Sequence, residues 1–246
     1  MGEGAPRIIE VGETGSTNAD AMARALAGEP LPFWLTAERQ TEGKGRSGRP
    51  WQSVEGNLHA SLALHLACGP LEAAQLSLVA GVAVIDALAA VAPGSRFRLK
   101  WPNDILCEGA KAGGILVETV SNGAGGGLVA VIGIGLNTAS APKIEGRATT
   151  SLAALGHAVS LKSIVAVLAQ AMDIGLRLWN EGRGFDAVRH HWLDAALPIG
   201  TALTVHAGAA TAEGRFAGLD TDGALLLQDL GGRVQRFTFG DVTLTS

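Results

Sequence analysis

Apolar and polar positions show two periodicities along the first 196 residues of the chain, one typical of strands and one typical of helices. Short alternating or continuous apolar runs predict β-strands at residues 8–11, 33–38, 58–66, 97–100, 105–107, 112–120 and 128–135. Apolar positions at helical spacing predict helices at residues 19–27, 71–91, 161–179 and 185–195. The glycine-rich run 121–127 lies between two strands and is predicted to be a hairpin connection. These elements predict an α+β fold whose central mixed sheet is flanked by helices.

The pattern changes near Pro198. Short alternating runs then follow one another at residues 203–206, 214–219, 224–228 and 234–239, separated by glycine and aspartate. Such runs are typical of a small β barrel or sandwich. We therefore expect a larger domain over residues 1–196 and a small β domain over residues 197–246, with the boundary near Leu197.

Composition adds that this is a folded chain without a general affinity for polyanions. Hydrophobic residues make up 47% of the 246 positions and charged residues 17%, which argues against disorder. The net charge of -4 gives no overall attraction to nucleic acid or to anionic lipid, so any anion site must be local. No apolar run is expected to reach the roughly 20 residues of a membrane helix.

The chain start and the cysteines favour a cytoplasmic protein. The first residues lack the basic head and the apolar stretch of a secretory signal. Cys68 and Cys107 fit neither a metal motif nor a disulfide framework. We expect both to be buried or half-buried thiols.

Residues 43–51, called the cationic loop below, combine glycines with positive charge. Gly43, Gly45 and Gly48 match the GxGxxG pattern of dinucleotide-binding proteins, but that motif needs a strand before it and a helix directly after it. Polar residues precede these glycines and Pro50 disfavours a helix after them. The sequence therefore argues against a dinucleotide site.

The same loop suits a phosphate ligand. Its glycines let backbone N–H groups approach oxygen atoms closely, and Lys44, Arg46 and Arg49 supply charge and donors. Trp51 closes the loop and has two open interpretations, stacking on an adenine or anchoring in the core.

Four further motifs each have a structural and a functional interpretation. The triplet from Ser16 to Asn18 offers helix-capping groups or hydrogen bonds for a ligand, and Ser160 offers a cap further along. The KWPND run at residues 100–104 is a turn or a polar ligand site. Lys111 precedes the AGGILVE strand, whose small residues allow close approach of a ligand, although such a lysine usually lies on the surface. The GIGLN run at residues 133–137 ends a strand with two glycines, as turn punctuation or as room for a ligand.

In this order, these motifs resemble those of biotin protein ligases, and the resemblance extends over most of the chain. It implies a class II synthetase-like catalytic domain followed by a small SH3-like β barrel. The implied activity is activation of biotin with ATP to biotinyl-5'-AMP and transfer of biotin to a lysine of a biotin carboxyl carrier protein. ATP and Mg²⁺ are the implied cofactors, with Mg²⁺ carried by the triphosphate or held near Asp104, and a homodimer is an option.

The resemblance also implies a set of biotin-binding residues. Lys44 stands where the family often has arginine, so only its charge carries over. The implied biotin-binding residues are Ser16, Thr17, Asn18, Gln40, Lys44, Gly45, Arg46, Lys111 and Gly114.

A second implied set binds the nucleotide and carries the reaction. The implied catalytic residues are Lys111, Arg46 and Asp104, with Asp104 assisting or orienting the attacking lysine. The implied ATP- and adenylate-binding residues are Gly43, Lys44, Arg46, Arg49, Trp51, Asn103, Asp104, Lys111 and Asn137.

Two other functions stay open at this level. A lipoate- or octanoate-protein ligase would share the architecture but would have an apolar pocket in place of the polar triplet. A non-catalytic, biotin-responsive regulator would need biotin binding without a triphosphate clamp. No DNA-binding role and no membrane association are expected, because only fifteen residues precede Ser16 and the chain is acidic overall.

Overall fold

The computed structural model describes residues 7–121 and 127–245, and its centre is a seven-stranded sheet. The strands occur in the order β1-β2-β3-β7-β6-β5-β4. Only β1 and β2 are parallel among the described pairs, so the predicted mixed sheet is confirmed. The strands are β1 Ile8–Thr14, β2 Phe33–Gln40, β3 Leu58–Leu66, β4 Phe97–Lys100, β5 Asp104–Cys107, β6 Ala110–Ser121 and β7 Leu128–Leu136.

Helices cover both faces of this sheet. They are α1 Thr17–Leu26, α2 Pro70–Ala73, α3 Leu76–Val91, α4 Leu161–Trp179 and α5 Phe185–Ala195. On β3, Leu62 and Leu66 point into the large core that also contains residues of α3, α4 and α5, whereas Ala63 belongs to a small cluster with residues of α1. Because side chains alternate along a strand, Ser61 and His59 lie on the α1 face. That face carries the candidate site.

The stretch before α4 corrects two expectations. A single helix was expected over residues 71–91, but the chain forms the short α2 and then α3, with a break at Ala74 and Gln75. The stretch Pro70–Val91 also has 22 residues, and 18 consecutive residues of it have a mean hydropathy of 2.0, so by length and composition it could cross a membrane, contrary to expectation. In the fold, α3 packs against α4, α5 and β6. Of these 18 consecutive residues, 56% are buried, as is usual for a core helix.

The C-terminal part forms a five-stranded antiparallel sheet, which confirms the predicted change to an all-β pattern. The sequence missed its last strand, because only Val242 of that strand is buried and no alternation is visible. Trp101 Nε1 donates a hydrogen bond to the Gly223 carbonyl at 3.1 Å, which links this sheet to the larger part of the chain. The strands are β8 Ala202–Ala207, β9 Ala210–Leu219, β10 Leu225–Gln228, β11 Val234–Phe237 and β12 Asp241–Leu244, in the order β11-β10-β9-β8-β12.

The remaining local predictions have mixed outcomes. Ser160 caps α4 by accepting a hydrogen bond from the Ser163 N–H at 3.1 Å, as predicted. Ser16 precedes α1, but its side chain makes no capping bond. Both cysteines are free, with Cys107 buried and Cys68 half-buried, as expected. The predicted hairpin connection lies largely outside the described residues, at 122–126.

Candidate active site

A cavity of about 490 Å³ opens on the α1 face of the central sheet. Its floor is a row of four residues paired across neighbouring strands: Asp104 on β5, Gly114 on β6, Gly135 on β7 and His59 on β3. Directly paired residues of antiparallel strands point to the same face. The floor is therefore a row of two glycines, with the Asp104 carboxylate at one end and the His59 imidazole at the other.

The glycines of this floor are needed because other side chains lie directly on them. A Cβ atom on Gly135 would lie 2.5 Å from the Trp51 ring, and one on Gly133 would lie 2.2 Å from Asn18 Oδ1. A Cβ atom on Gly114 would lie 3.3 Å from the same indole. The GIGLN and AGGILVE glycines therefore leave room for side chains that approach the sheet.

At one end of the cavity, Thr17, Asn18 and Gln40 line the wall, and with the fully buried Ser61 behind them they form a neutral hydrogen-bonded group, called the polar cradle below. The Thr17 N–H and hydroxyl both lie within hydrogen-bond distance of Gln40 Oε1, at 2.9 and 3.0 Å. Ser61 Oγ lies 2.8 Å from Thr17 Oγ1 and 2.7 Å from Asn18 Oδ1. The Asn18 amide donates to Glu118 at 2.7 Å. These bonds fix the polar triplet at the start of α1 against the sheet.

The other end holds a lysine–aspartate cluster. Asp104 binds Lys100 through Oδ2 at 2.8 Å and Lys111 through Oδ1. Burial opposes the ionisation of Asp104, but Lys111 and Lys100 outweigh it and lower the pKa of the carboxyl to about 2. Burial lowers the pKa of Lys111, while Asp104 favours its charged form. The cluster therefore places the buried Lys100 and the partly buried Lys111 around one carboxylate that is ionised at neutral pH.

The cationic loop lies above the cluster and is attached to β12. Arg49 binds the Asp241 carboxylate at 2.5 Å, and Arg46 lies 3.7 Å from the same carboxylate. Arg46 also donates to the Gly240 carbonyl at 3.1 Å. The C-terminal sheet thus supplies an anion to the loop.

The cavity brings together the residues that the sequence singled out, with one exception. Gly43 does not line it; its carbonyl accepts the Trp51 N–H at 2.8 Å, and a Cβ atom there would lie 2.7 Å from the Trp51 carbonyl. This glycine closes the base of the loop. The predicted residues that line the cavity are Ser16, Thr17, Asn18, Gln40, Lys44, Gly45, Arg46, Arg49, Trp51, Asn103, Asp104, Lys111, Gly114 and Asn137.

Two of these residues have local hydrogen bonds of their own. The Asn103 amide donates to the Ile115 carbonyl at 2.7 Å. The Asn137 amide donates to the Thr150 carbonyl at 3.0 Å, and its Oδ1 is buried without a partner among the described residues. Asn137 therefore retains an acceptor that no described group satisfies.

Sequence reasoning missed several residues of the site. Lys100 was read only as part of its motif, and His59 and Ser61 carried no local signal, because their role depends on strand register. The segment containing Arg147 and Thr149 and the start of β12 also line the cavity. No periodicity in the sequence links these segments to the cationic loop.

The glycines of the cationic loop do not belong to a dinucleotide-binding unit, although the reason differs from the one predicted. A strand does precede the glycines, because β2 continues to Gln40. No α-helix follows, since Arg46–Gly48 forms a single 3₁₀ turn and the chain then runs extended towards β3. The required strand–loop–helix unit is absent from this described segment.

Metal and thiol chemistry find little support in the described ranges 7–121 and 127–245. No group of three His, Cys, Asp or Glu side chains there is arranged to hold a metal ion. Neither cysteine lines the cavity, and burial raises the pKa of both the Cys68 and Cys107 thiols. An octanoyltransferase-type cysteine nucleophile, which needs a stabilised thiolate, is therefore not supported.

Comparison with known proteins gives the same picture. Residues 26–137 match the Biotin/lipoate A/B protein ligase family, and residues 199–244 match the Biotin protein ligase C terminal domain. The chain is 40% identical to the biotin--[acetyl-CoA-carboxylase] ligase of Paracoccus denitrificans, over 89% of this chain and 93% of that protein. It is 34% identical to the enzyme of that name from Mycobacterium tuberculosis, over 98% of this chain and 90% of that protein.

A solved structure extends the likeness to three dimensions. The biotin protein ligase from Aquifex aeolicus in complex with biotin and ATP superimposes with a TM-score of 0.81 and 26% identity, covering 97% of this chain and 99% of that one. The match includes both the mixed sheet and the C-terminal sheet. With this fold, this cavity and these relatives, the chain belongs to the biotin protein ligase family.

Proposed function

We propose that the cavity binds biotin at the polar cradle and ATP at the charged end, and joins them as biotinyl-5'-AMP. The ureido ring of biotin has N–H donors and a carbonyl acceptor, which suit Thr17, Asn18 and Gln40. Triphosphate oxygens suit the cationic loop and the lysine–aspartate cluster. The observation that carries this proposal is that one cavity is lined both by residues of the neutral polar cradle and by two lysines that share one buried carboxylate.

In the first step, a biotin carboxylate oxygen attacks the α-phosphorus of ATP, and the bond to the β-phosphate oxygen breaks. Pyrophosphate leaves with the electron pair, and a mixed anhydride remains. Two anions must meet, and charge must be offset as it builds on the phosphate oxygens. We assign this role to Lys111, supported by Arg46, Arg49 and Lys44.

In the second step, the ε-amine of a carrier lysine attacks the acyl carbon, an amide bond forms and AMP leaves. The amine must lose one proton. Asp104 is a weak base because its pKa is about 2, and both its oxygens already bind lysines. We therefore assign Asp104 the role of orienting Lys111 and Lys100, and the proton goes to solvent or to the leaving phosphate. The carrier is the biotin-bearing part of a carboxylase, as the names of the relatives imply.

We further propose that Mg²⁺ arrives with the triphosphate. The described residues offer no cluster of metal-binding side chains, and the carboxylate of Asp104 is engaged by two cations. When bound, Mg²⁺ supplies charge to the β- and γ-phosphate oxygens. The free thiols of Cys68 and Cys107 support a reducing compartment such as the cytoplasm.

The test is release of pyrophosphate from Mg-ATP by the purified chain without any carrier. We expect release that depends on biotin and stops after about one equivalent per site, because the anhydride stays bound. Lipoate and octanoate serve as matched competitors. Release that is independent of biotin, or that prefers lipoate, would overturn the proposal.

A further inference from the structure

Buried polar groups without partners concentrate at one place in this molecule. Among the residues that the structure describes, five buried side-chain atoms lack a hydrogen-bond partner, and four of them belong to residues lining the cavity. These four are Trp51 Nε1, both ring nitrogens of His59 and Asn137 Oδ1. A buried polar atom without a partner is costly, so such groups call for an explanation.

Strand register places two of these groups side by side. His59 is paired with Gly135, and directly paired residues have their Cβ positions roughly 4.5–5.5 Å apart. The Cβ position of Gly135 lies 3.0 Å from Trp51 Nε1. The indole lies over Gly135, and the imidazole starts from the neighbouring position on the same face of the sheet.

The chemistry of the two groups is complementary. An indole nitrogen only donates, whereas a neutral imidazole has one donor and one acceptor. Burial lowers the pKa of His59, which keeps the ring neutral, and the nearby Val54 carbonyl offsets part of this effect without reaching hydrogen-bonding geometry. That carbonyl favours the proton on the ring nitrogen that faces it and leaves the other nitrogen as an acceptor.

We propose that His59 is a positioning residue for Trp51: when the cavity is loaded, its free ring nitrogen accepts a hydrogen bond from Trp51 Nε1. The bond fixes the plane of the indole above Gly135 and so prepares the surface on which the nucleotide base stacks. Val54, His59 and Trp51 then connect the end of the cationic loop to β3. This inference rests on the proposed nucleotide site.

The experiment combines substrate kinetics with NMR of the indole N–H in the full chain loaded with biotin and Mg-ATP. The Trp51 signal is assigned by its loss in Trp51→Phe. In His59→Phe, we expect this N–H to exchange with solvent at least tenfold faster and the KM for ATP to rise about tenfold, with the KM for biotin within twofold of wild type. His65 is exposed on the same strand, and His65→Phe, the matched control, should change neither.

Two conservative variants test the hydrogen bond itself. Asn and Gln place an oxygen acceptor near the positions of Nδ1 and Nε2, so one of His59→Asn and His59→Gln should restore slow exchange and the KM for ATP. In a Trp51→Phe background, His59→Phe should have no further effect on that KM. Equal effects with and without the indole, or indistinguishable Asn and Gln variants, would overturn the inference even if His59→Phe does not fold.

The proposed function is tested separately in the same series. A wild-type chain that forms no biotinyl adenylate would contradict the proposed function. A wild-type chain that forms it normally, while His59→Phe behaves like His65→Phe, would contradict only the role of His59.

Discussion

The two ends of the cavity are built differently. The polar cradle is neutral, and its members bond to one another and to the sheet. The charged end is assembled from three separate segments, the cationic loop, the lysine–aspartate cluster and β12, which are held by ion pairs. A neutral site can form all its internal hydrogen bonds before the ligand binds. A site for a polyanion needs protein carboxylates to neutralise its cations until the ligand arrives and competes for them.

This difference predicts that the charged end controls the rate of adenylation, whereas the polar cradle controls the affinity for biotin. The largest effect should come from Lys111→Ala. Adenylation should slow by roughly 100- to 1000-fold, because a fixed cation at the developing phosphate charge is lost. The dissociation constant for biotin should change less than threefold. Single-turnover adenylation rates and biotin titrations of both proteins check this.

Lys111→Arg is the matched variant, since it keeps the charge but has a wider planar head. It should recover part of the rate. If Lys111→Ala lost rate and biotin affinity equally, the lysine would contribute uniform binding and the division between the two ends would fail.

Asp104→Asn should have the next largest effect, on stability as well as rate. It leaves the buried Lys100 and the partly buried Lys111 without their shared counter-ion, and breaking a buried ion pair typically costs about 3–5 kcal/mol. Urea unfolding measures this loss. Asp186→Asn is the control, because this exposed carboxylate pairs with Arg189 on α5 and its loss should change the free energy of unfolding far less.

The same carboxylate predicts an acid-dependent loss of stability. The pKa of Asp104 falls from 3.8 to about 2 on folding, so its ionised form stabilises the fold above pH 4. That contribution, on the order of 2 kcal/mol, should be lost as the pH falls from about 4 to about 2. Asp104→Asn should lack this component. Identical acid unfolding profiles of the two proteins would show that the carboxylate is not held in its charged form.

Ser61→Ala tests the neutral end. It removes the hydroxyl that lies between Thr17 and Asn18, so biotin binding should weaken about tenfold, while the KM for ATP stays within twofold. Ser160→Ala removes the cap of α4 and should lower stability without changing biotin affinity. If Ser61→Ala changed the KM for ATP as much as it changed biotin affinity, the two ends of the cavity would not act independently.

The two ends of the cavity also differ in how much of their structure could be predicted from the sequence. The bounds of β3 and α5 were predicted correctly because strong periodicity and clear breaks mark them. Most cavity-lining residues were found because glycine, cation and amide motifs are local. Ser61 was missed because its role arises only when register sets it beside Gly133 and α1 is placed above. Contacts between distant segments leave no mark in a local pattern.

The smallest effect should come from Asp241, the carboxylate on β12 that binds the cationic loop. Arg49 and Asp241 are both well exposed, so Asp241→Asn should lower the free energy of unfolding by less than about 1 kcal/mol. Its larger consequence is local. Without this anion the charges of Arg46 and Arg49 repel each other, so loop amides at residues 43–51 should exchange several-fold faster in the free protein. In the proposed site, biotinyl adenylate would supply its own phosphate to this loop, and its presence should slow exchange in both proteins to a common value. Hydrogen exchange followed by mass spectrometry, with and without biotin and Mg-ATP, measures both states.

Two outcomes would contradict this prediction for Asp241. A difference that persists in the loaded protein would show that Asp241 is a permanent part of the nucleotide site. No difference in either state would show that the charged end holds its loop without help from the C-terminal sheet.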